Sequence, residues 1–574
     1  MDNASFFSVE LMASGTWQAF ERALLRWCVH QGFEWSRLTG GAGDRGSDVV
    51  GYYKHRYWVL QSKFSLSGTP PGPAVVTQEL GRALEEYGAT YGVLATNAFL
   101  TDAQRLKEAA IRYNTMVGVH IDLAGRSQLM RIGAALPAEP APRAIYPIRE
   151  YQTDAVAKVV DASMTRVGDR AGAIVAMATG TGKSRVLFEF IRRFLDYNPS
   201  VEVLVLAETV ELARQLERTS WETFPKSVTT HLWAGGETPA FRVGNAVTFA
   251  TTDSVRAGTG ILARPGRFAL VAFDEAHHAA AAGNAKLIAD LQPRFRLGMT
   301  ATPWRGDTSR LESVFGPHRP VFELSIVDAI RRHHLADVEY VVFDDHIDWD
   351  YVTSVSKNNL TIRDLNVRLW IPERENRVAS IVRDWVDKLT SAGVPPRTLV
   401  FCRSIEHAHN ARMALNAAGV PAAELHSGMG KFDTTRILQQ FRDGDIRVLA
   451  VVDMLNEGID VPDVRLIVFN RVTHSRRVFL QQLGRGLRPA ADKTRLVVLD
   501  FVADVRRLAE LMEMEAEYEG KIRQTEVVDL PESMVHLQGE HIRRFVDTYL
   551  ADVSKLRDAD DTLLLFPANE PPRN

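Results

Sequence analysis

The run Trp58–Phe64 reads WVLQSKF and continues from Tyr57 through residues that suit a buried β-strand. Side chains alternate faces along a strand, so Gln61 and Lys63 point the same way. Thirteen residues before Gln61, Asp48 lies where the glycine-rich turn GGAGDRGSDVVGYY becomes another strand-like segment. Further upstream, Glu21 sits in TWQAFERALLRWCVHQGF, whose apolar spacing fits an amphipathic helix. Metal-assisted phosphodiester cleavage needs oxygen ligands for a cation such as Mg2+ and a group that positions or activates water. Asp48, Glu21 and the Gln61 carbonyl could supply the oxygens. Lys63 could orient the attacking water and offset negative charge in the transition state. Taken alone, the same residues also fit a turn acid, a solvated helix position and an edge-strand decoration. Asp44 is a rival ligand, but its place before the strand suits a turn.

A second set of residues suits phosphate chemistry. The strand-like AGAIVAMA runs into TGTGKS and then into RVLFEFIRRFL, which reads as a helix. Gly180 and Gly182 would let backbone N–H groups close round a phosphate, Lys183 would reach the terminal phosphates, and Ser184 would offer its hydroxyl to Mg2+. The general phosphate-loop pattern places Gly where this chain has Met177. Downstream, the strand FALVAFD ends in Asp274-Glu275-Ala276-His277. A strand-end Asp can hold magnesium through water, and the neighbouring Glu can polarise the attacking water. His277 and His278 are adjacent and so point different ways, which argues against a metal pair.

These residues need elements to position them. Apolar strand runs, each followed by an amphipathic helix, recur from AGAIVAMA through VEVLVLA, AVTFATT and FALVAFDE to RFRLGMTA. The series restarts near residue 397 with RTLVFC, IRVLAVVD, VRLIVFN and TRLVVLD. That alternation predicts an α/β chain with two parallel sheets covered by helices. Residues 132–147, IGAALPAEPAPRAIYP, hold four prolines and read as a semi-rigid Pro/Ala-rich spacer. The expected division is therefore a first domain over 1–131, the spacer over 132–147, a first lobe over 148–319, a connecting region over 320–396, a second lobe over 397–502, and a helical extension over 503–574 with a disordered end.

From about Tyr146 to Val502 the chain resembles a superfamily 2 helicase, nearest in form to the motors of type I and type III restriction enzymes. MATGTGKS is similar to motif I of that group, in which Met at this position is normal; DEAH is similar to motif II and LGMTATP to motif III. LVFCRS, VVDMLNEGIDVP and QQLGRGLRP resemble motifs IV, V and VI. The resemblance implies two RecA-like lobes that hydrolyse ATP with Mg2+. Thr179, Gly180, Thr181, Gly182, Lys183 and Ser184 would hold phosphate and metal, Asp274 would hold the metal, and Glu275 would be the base. IREYQ resembles the adenine-reading element, which implies Gln152 as the adenine contact with Arg149 or Tyr151 near the base. Gly458 and Asp460 would approach the nucleotide from the second lobe, and Arg485 and Arg488 would be arginine fingers, rigid forks of donors for phosphoryl charge. Thr300 and Thr302 would couple hydrolysis to movement. Arg214, Gln215, Thr251 and Thr252 would hold nucleic-acid phosphates without reading sequence, and His474, Arg476 and Arg477 add positive charge before motif VI.

Residues 15–131 resemble the Mrr-type restriction endonuclease domain, a branch of the PD-(D/E)xK nucleases that uses QxK. The resemblance rests on AFERALL, GDRGSD, QSK and YGVLATNAFLTDAQRLKEAA. It implies a restriction-endonuclease-like α/β domain with Glu21, Asp48 and Gln61 on Mg2+, or alternatively Mn2+, and Lys63 at the attacking water. Together the resemblances imply an ATP-dependent DNA motor fused to a nuclease, acting on double-stranded DNA, with defence against foreign DNA as the setting and other proteins of a defence system as partners. DNA-repair processing, or a nuclease fold that only binds DNA or docks a partner, are the competing readings.

The bulk composition is consistent with this. Of 574 residues, 45% are hydrophobic and 24% charged, as in soluble globular chains, and the length predicts several domains. Only Cys28 and Cys402 are present, which excludes a zinc cluster or a disulfide framework. No signal-peptide pattern opens the chain and no 18-residue apolar run crosses a membrane, so a cytoplasmic address without membrane partners is expected. A net charge of −3 neither demands nor forbids a basic nucleic-acid groove.

Overall fold

In the first 125 residues, short strands of aromatic and β-branched residues build a five-stranded mixed sheet in a computed structural model of the chain. Its strands are β1 (Trp35–Leu38), β2 (Val49–Tyr53), β3 (Arg56–Lys63), β4 (Tyr91–Thr96) and β5 (His120–Ala124), in the order β1-β2-β3-β4-β5. The first two pairings are antiparallel and the last two parallel. The structure describes residues 5–39, 47–141, 147–168, 171–239, 245–258, 263–301, 308–316, 319–343, 372–452, 464–471, 482–484, 486–487, 493, 495–501 and 535–538.

Each face of this sheet is covered. On one side Phe20, Leu24 and Cys28 of the Trp17–His30 helix pack with Val49, Leu60 and Val93. Thr16 caps that helix by accepting from Ala19 N at 3.1 Å. On the other side Val76, Leu80 and Leu84, with Leu106 and Ala110 of the Gln104–Val117 helix, pack on Val50, Val59 and Leu94. Alternation along β3 thus sends Val59 to one face and Leu60 to the other, which places Gln61 and Lys63 beyond the apolar part of the strand.

Two seven-stranded sheets follow. The first comprises β6 (Gly172–Met177), β7 (Glu202–Ala207), β8 (Thr229–Trp233), β9 (Ala246–Thr251), β10 (Phe268–Phe273), β11 (Phe295–Thr300) and β12 (Phe322–Leu324), in the order β12-β6-β11-β10-β7-β9-β8. Strands β6 to β11 pair in parallel and, apart from Glu202 at the start of β7 and Thr230 in β8, are buried throughout, as continuous apolar runs in a doubly covered sheet should be. The second sheet comprises β13 (Asp337–Phe343), β14 (Thr398–Phe401), β15 (Ala422–His426), β16 (Val448–Val452), β17 (Leu466–Phe469), β18 (Arg495–Asp500) and β19 (Val535–Gln538), in the order β15-β16-β14-β17-β18-β13-β19, with every pair parallel. The chain falls into two compact units, one carrying the mixed sheet and the first parallel sheet, the other carrying the second parallel sheet.

Three stretches differ from the sequence expectation. The Arg126–Ala135 helix runs into the residues read as a spacer, and Pro137, which has no N–H to offer, follows directly after its last turn. Beyond it the chain stays attached: His30 Nε2 lies 2.9 Å from Pro137 O and Ala141 N donates to His30 O at 3.0 Å. The described parts of 320–396 belong to the two sheets rather than to a separate connector: β12 joins the first sheet, β13 joins the second, and the Pro372–Ser391 helix packs Val378, Val382 and Val386 into the second core. A short strand flanked by charge, such as FEL or DVEYVVF, carries too weak a period to be read. Of the residues after 503, the described ones form β19.

Candidate functional site

The nuclease-type residues meet at the end of β3. Asp48 sits immediately before β2, and its backbone already belongs to the ladder: Asp48 N donates to Leu60 O at 3.1 Å and Thr39 N to Asp48 O at 2.9 Å. Its buried carboxylate faces the QSK run, accepting from Gln61 Nε2 at 2.9 Å and from Ser62 N at 2.6 Å. Ser62 Oγ reaches Glu21 Oε1 at 3.4 Å, which brings the Trp17–His30 helix to the same point. Gln61 is 4% exposed, and its carbonyl oxygen is buried with no hydrogen-bond partner. Such an atom is costly unless a donor or a cation meets it. A hard divalent cation takes this kind of oxygen, so the Asp48 carboxylate and the Gln61 carbonyl fit one, with Glu21 joined to them through Ser62. Among the described residues no group of three or more His, Cys, Asp or Glu is placed to hold a metal.

Lys63 follows Gln61 on the same face but is engaged: its Nζ lies 2.5 Å from Glu79 Oε2, both side chains being about one-third exposed (33% and 37%). Two residues of this site carried no readable signal. Ser62 was hidden between the two residues that chemistry singled out, and Glu79 lies on an amphipathic segment where an acid is unremarkable. Asp44 lies outside the described residues.

The phosphate-type residues gather at the carboxyl ends of β6, β11 and β10. Thr300 pairs with Ala176 and Gly298 with Phe273, so the turns after these adjacent strands emerge side by side. Gly180 and Gly182 take φ of +88° and +86°, a left-handed conformation that side chains with a Cβ rarely adopt. Gly182 opens the Lys183–Tyr197 helix, whose free N–H groups suit an anion. A Cβ on Gly182 would collide with the Gln152 amide, so the glutamine read as the adenine contact lies against this loop. Its other atom, Oε1, accepts from Arg149 N at 2.9 Å and closes the start of the Glu150–Thr165 helix.

Lys183 Nζ lies 3.9 Å from Glu275 Oε1. Glu275 itself has φ +53° and ψ +58°, unusual for a residue with a side chain and of the kind found at functional turns. Asp274 is fixed by its N–H to Leu206 O at 3.0 Å. Burial, and secondly the Glu275 carboxylate, push Asp274 up to about 7 against the pull of Lys183. A buried acid in that condition is well suited to a divalent cation, so the residues fit Mg2+. The two histidines are not splayed apart as adjacency suggested: their rings lie 4.2 Å apart, yet His277 faces Glu275 at 3.5 Å and His278 faces Glu208 at 2.6 Å. Arg214 pairs with Glu211 at 2.8 Å, and Thr251 caps the Thr252–Ala257 helix by accepting from Ser254 N. Thr302, Gly458, Asp460, His474, Arg476, Arg477, Arg485 and Arg488 lie outside the described residues.

Three family models match the chain in order. Residues 12–131 match the restriction endonuclease model of the Mrr type, 145–305 the res subunit of type III restriction enzymes, and 382–490 the conserved C-terminal helicase domain. The chain joins a superfamily 2 helicase to an Mrr-type nuclease domain. The endonuclease subunit of the type I restriction enzyme EcoAI from Escherichia coli is 24% identical over 62% of this chain and 46% of its own length. The DNA 3'-5' translocase XPB2 of Sulfurisphaera tokodaii is 25% identical over 61% of the chain and 80% of its own. The chain spans about half the length of several curated relatives it matches, 54% of one and 53% of another. Among solved structures, the ATP-dependent type ISP restriction-modification enzyme LlaBIII bound to DNA shares the fold, with a TM-score of 0.52 and 15% identity over 95% of this chain and 41% of its own. No helix among the described residues is long and apolar enough to cross a membrane.

Proposed function

We propose that the protein is an ATP-driven motor on double-stranded DNA that cuts DNA at its own metal-dependent nuclease centre, as a restriction-like effector in defence. The observation that supports this best is the buried, unpartnered Gln61 carbonyl beside the Asp48 carboxylate, an arrangement suited to binding a cation. With Glu21 it would hold Mg2+ or Mn2+, which supplies a Lewis acid at the scissile phosphate. Lys63 would place the attacking water, and the Gln61 amide, donating its N–H to Asp48, would leave its oxygen for the cation.

In the motor, Lys183 and the glycine-rich turn would bind the nucleotide phosphates, Ser184 and Asp274 would hold Mg2+, and Glu275 would take the proton of the attacking water. Gln152 and Arg149 would seat the base. Gly458, Asp460, Arg485 and Arg488 would act from the second lobe. DNA should accelerate ATP hydrolysis by the purified protein, and Lys183→Ala should abolish it. An ATPase that ignores DNA, or survives Lys183→Ala, would remove the motor from this reading.

A further inference from the structure

The nuclease domain is seated on the first motor lobe through buried charge. Arg22, the neighbour of Glu21, places its Nε 3.0 Å from Glu217 Oε2, and a second carboxylate, Glu237, also meets its guanidinium. Glu217 belongs to the Val210–Ser220 helix of the motor lobe, is 1% exposed, and accepts from Thr230 Oγ1 at 2.9 Å on its other oxygen. One turn along the nuclease helix, Arg26 donates to Val228 O at 2.7 Å and Pro225 O at 3.0 Å. Trp221 of the motor lobe completes the apolar cluster formed by Phe20, Leu24 and Leu60 of the nuclease domain. Two adjacent residues of the Trp17–His30 helix therefore face different partners: Glu21 reaches the QSK run through Ser62, while Arg22, rotated by one residue, is fixed by the motor.

We infer that Glu217 of the motor lobe is a positioning residue for the nuclease centre, acting through Arg22 to hold Glu21 in reach of the metal. This rests on the nuclease reading given above. Two carboxylates, Glu217 and Glu237, converge on the one guanidinium, so Arg22 is held as an anchor from two sides. Adjacent residues share one backbone, so release of Arg22 lets Glu21 shift. A displacement of about 1 Å at a catalytic group can cost on the order of 100-fold in rate.

The test uses the full-length, nucleotide-free protein and Mn2+ as the probe, with binding followed by electron paramagnetic resonance and cutting by nicking of supercoiled DNA. The Mn2+ site lost in Asp48→Ala defines the nuclease centre. Glu217→Gln keeps shape and the Thr230 bond but removes the charge. It should weaken Mn2+ binding at that site about tenfold and slow nicking roughly 10- to 100-fold, with ATP hydrolysis within about twofold of wild type. Should Glu217→Gln fold poorly, the combined replacement Arg22→Met, Glu217→Leu and Glu237→Gln removes the whole charge cluster together and keeps the interface packed; it should show the same Mn2+ defect. Wild-type Mn2+ affinity and nicking in either folded variant would overturn the inference. If Asp48→Ala loses no Mn2+ site, the nuclease reading itself fails, and the positioning role falls with it.

Discussion

Replacing Lys226 should release the nuclease domain from the motor lobe. Lys226 of the lobe is 7% exposed, and its Nζ meets Ala134 O and Leu136 O at 2.7 Å each and Gly133 O at 3.3 Å. These carbonyls close the Arg126–Ala135 helix, where the last turn has no intrahelical partners and the dipole favours a cation. Lys226→Met keeps the stem and removes the charge, leaving the carbonyls buried without donors. Hydrogen bonds to a charged group contribute about 1.5–3 kcal/mol each. Counting the two short ones and allowing for desolvation of the ammonium, the loss is about 3–5 kcal/mol. At about 1.4 kcal/mol per tenfold, the undocked population should rise roughly 100- to 4,000-fold. Limited trypsin digestion reads this directly, because cleavage after Arg126 or Arg131 of that helix follows the open population when opening is fast. Cleavage there should accelerate by at least about 100-fold. A digestion rate within about threefold of wild type would refute the claim that this contact holds the domain down.

Two further outcomes follow from the geometry. Glu79→Gln should alter DNA cleavage by less than about fivefold, because a pair one-third exposed is worth about 1 kcal/mol or less; a loss as deep as that of Lys63→Ala, measured by plasmid nicking, would make Glu79 part of the reacting centre. His231, buried beneath the same interface, is pushed down to about 4 by burial first and by Arg22 and Arg267 after it. The unfolded chain takes up a proton near pH 6.5 while the native chain waits until about 4, so stability falls as pH drops through that window. The loss is about 3 kcal/mol by pH 4, and His231→Asn should flatten that part of a denaturation-against-pH curve; an unchanged slope would show that His231 is not the group responsible.

The motor and nuclease motifs were legible because their chemistry concentrates in short runs at strand ends. TGTGKS, DEAH and QSK each bring several working residues within one turn or one strand, where spacing alone implies a shared site. The docking surface was not legible. Arg22, Arg26 and His30 recur every four residues along an amphipathic helix, a spacing that carries no sign of burial, yet they are 8%, 2% and 2% exposed. What buries them comes from Pro137 and from residues 217–237, which no local pattern connects to them. The same distance effect hid β12, β13 and β19: each is short, and each becomes a strand by adding to a sheet already formed. Proline content suggested a free spacer in 132–147, but proline restricts backbone without preventing docking, and carbonyl groups there are used by Lys226.

The central claim is that one chain drives along DNA and cuts it at the Asp48–Gln61–Lys63 centre. Cleavage of modified and unmodified duplex DNA with Mg2+, with and without ATP, tests it most directly when wild type is compared with Lys63→Ala. The expected result is Mg2+-dependent cutting by wild type that Lys63→Ala loses while its DNA-stimulated ATP hydrolysis persists. Equal cutting by the variant, or no cutting by wild type on either DNA with or without ATP, would contradict it.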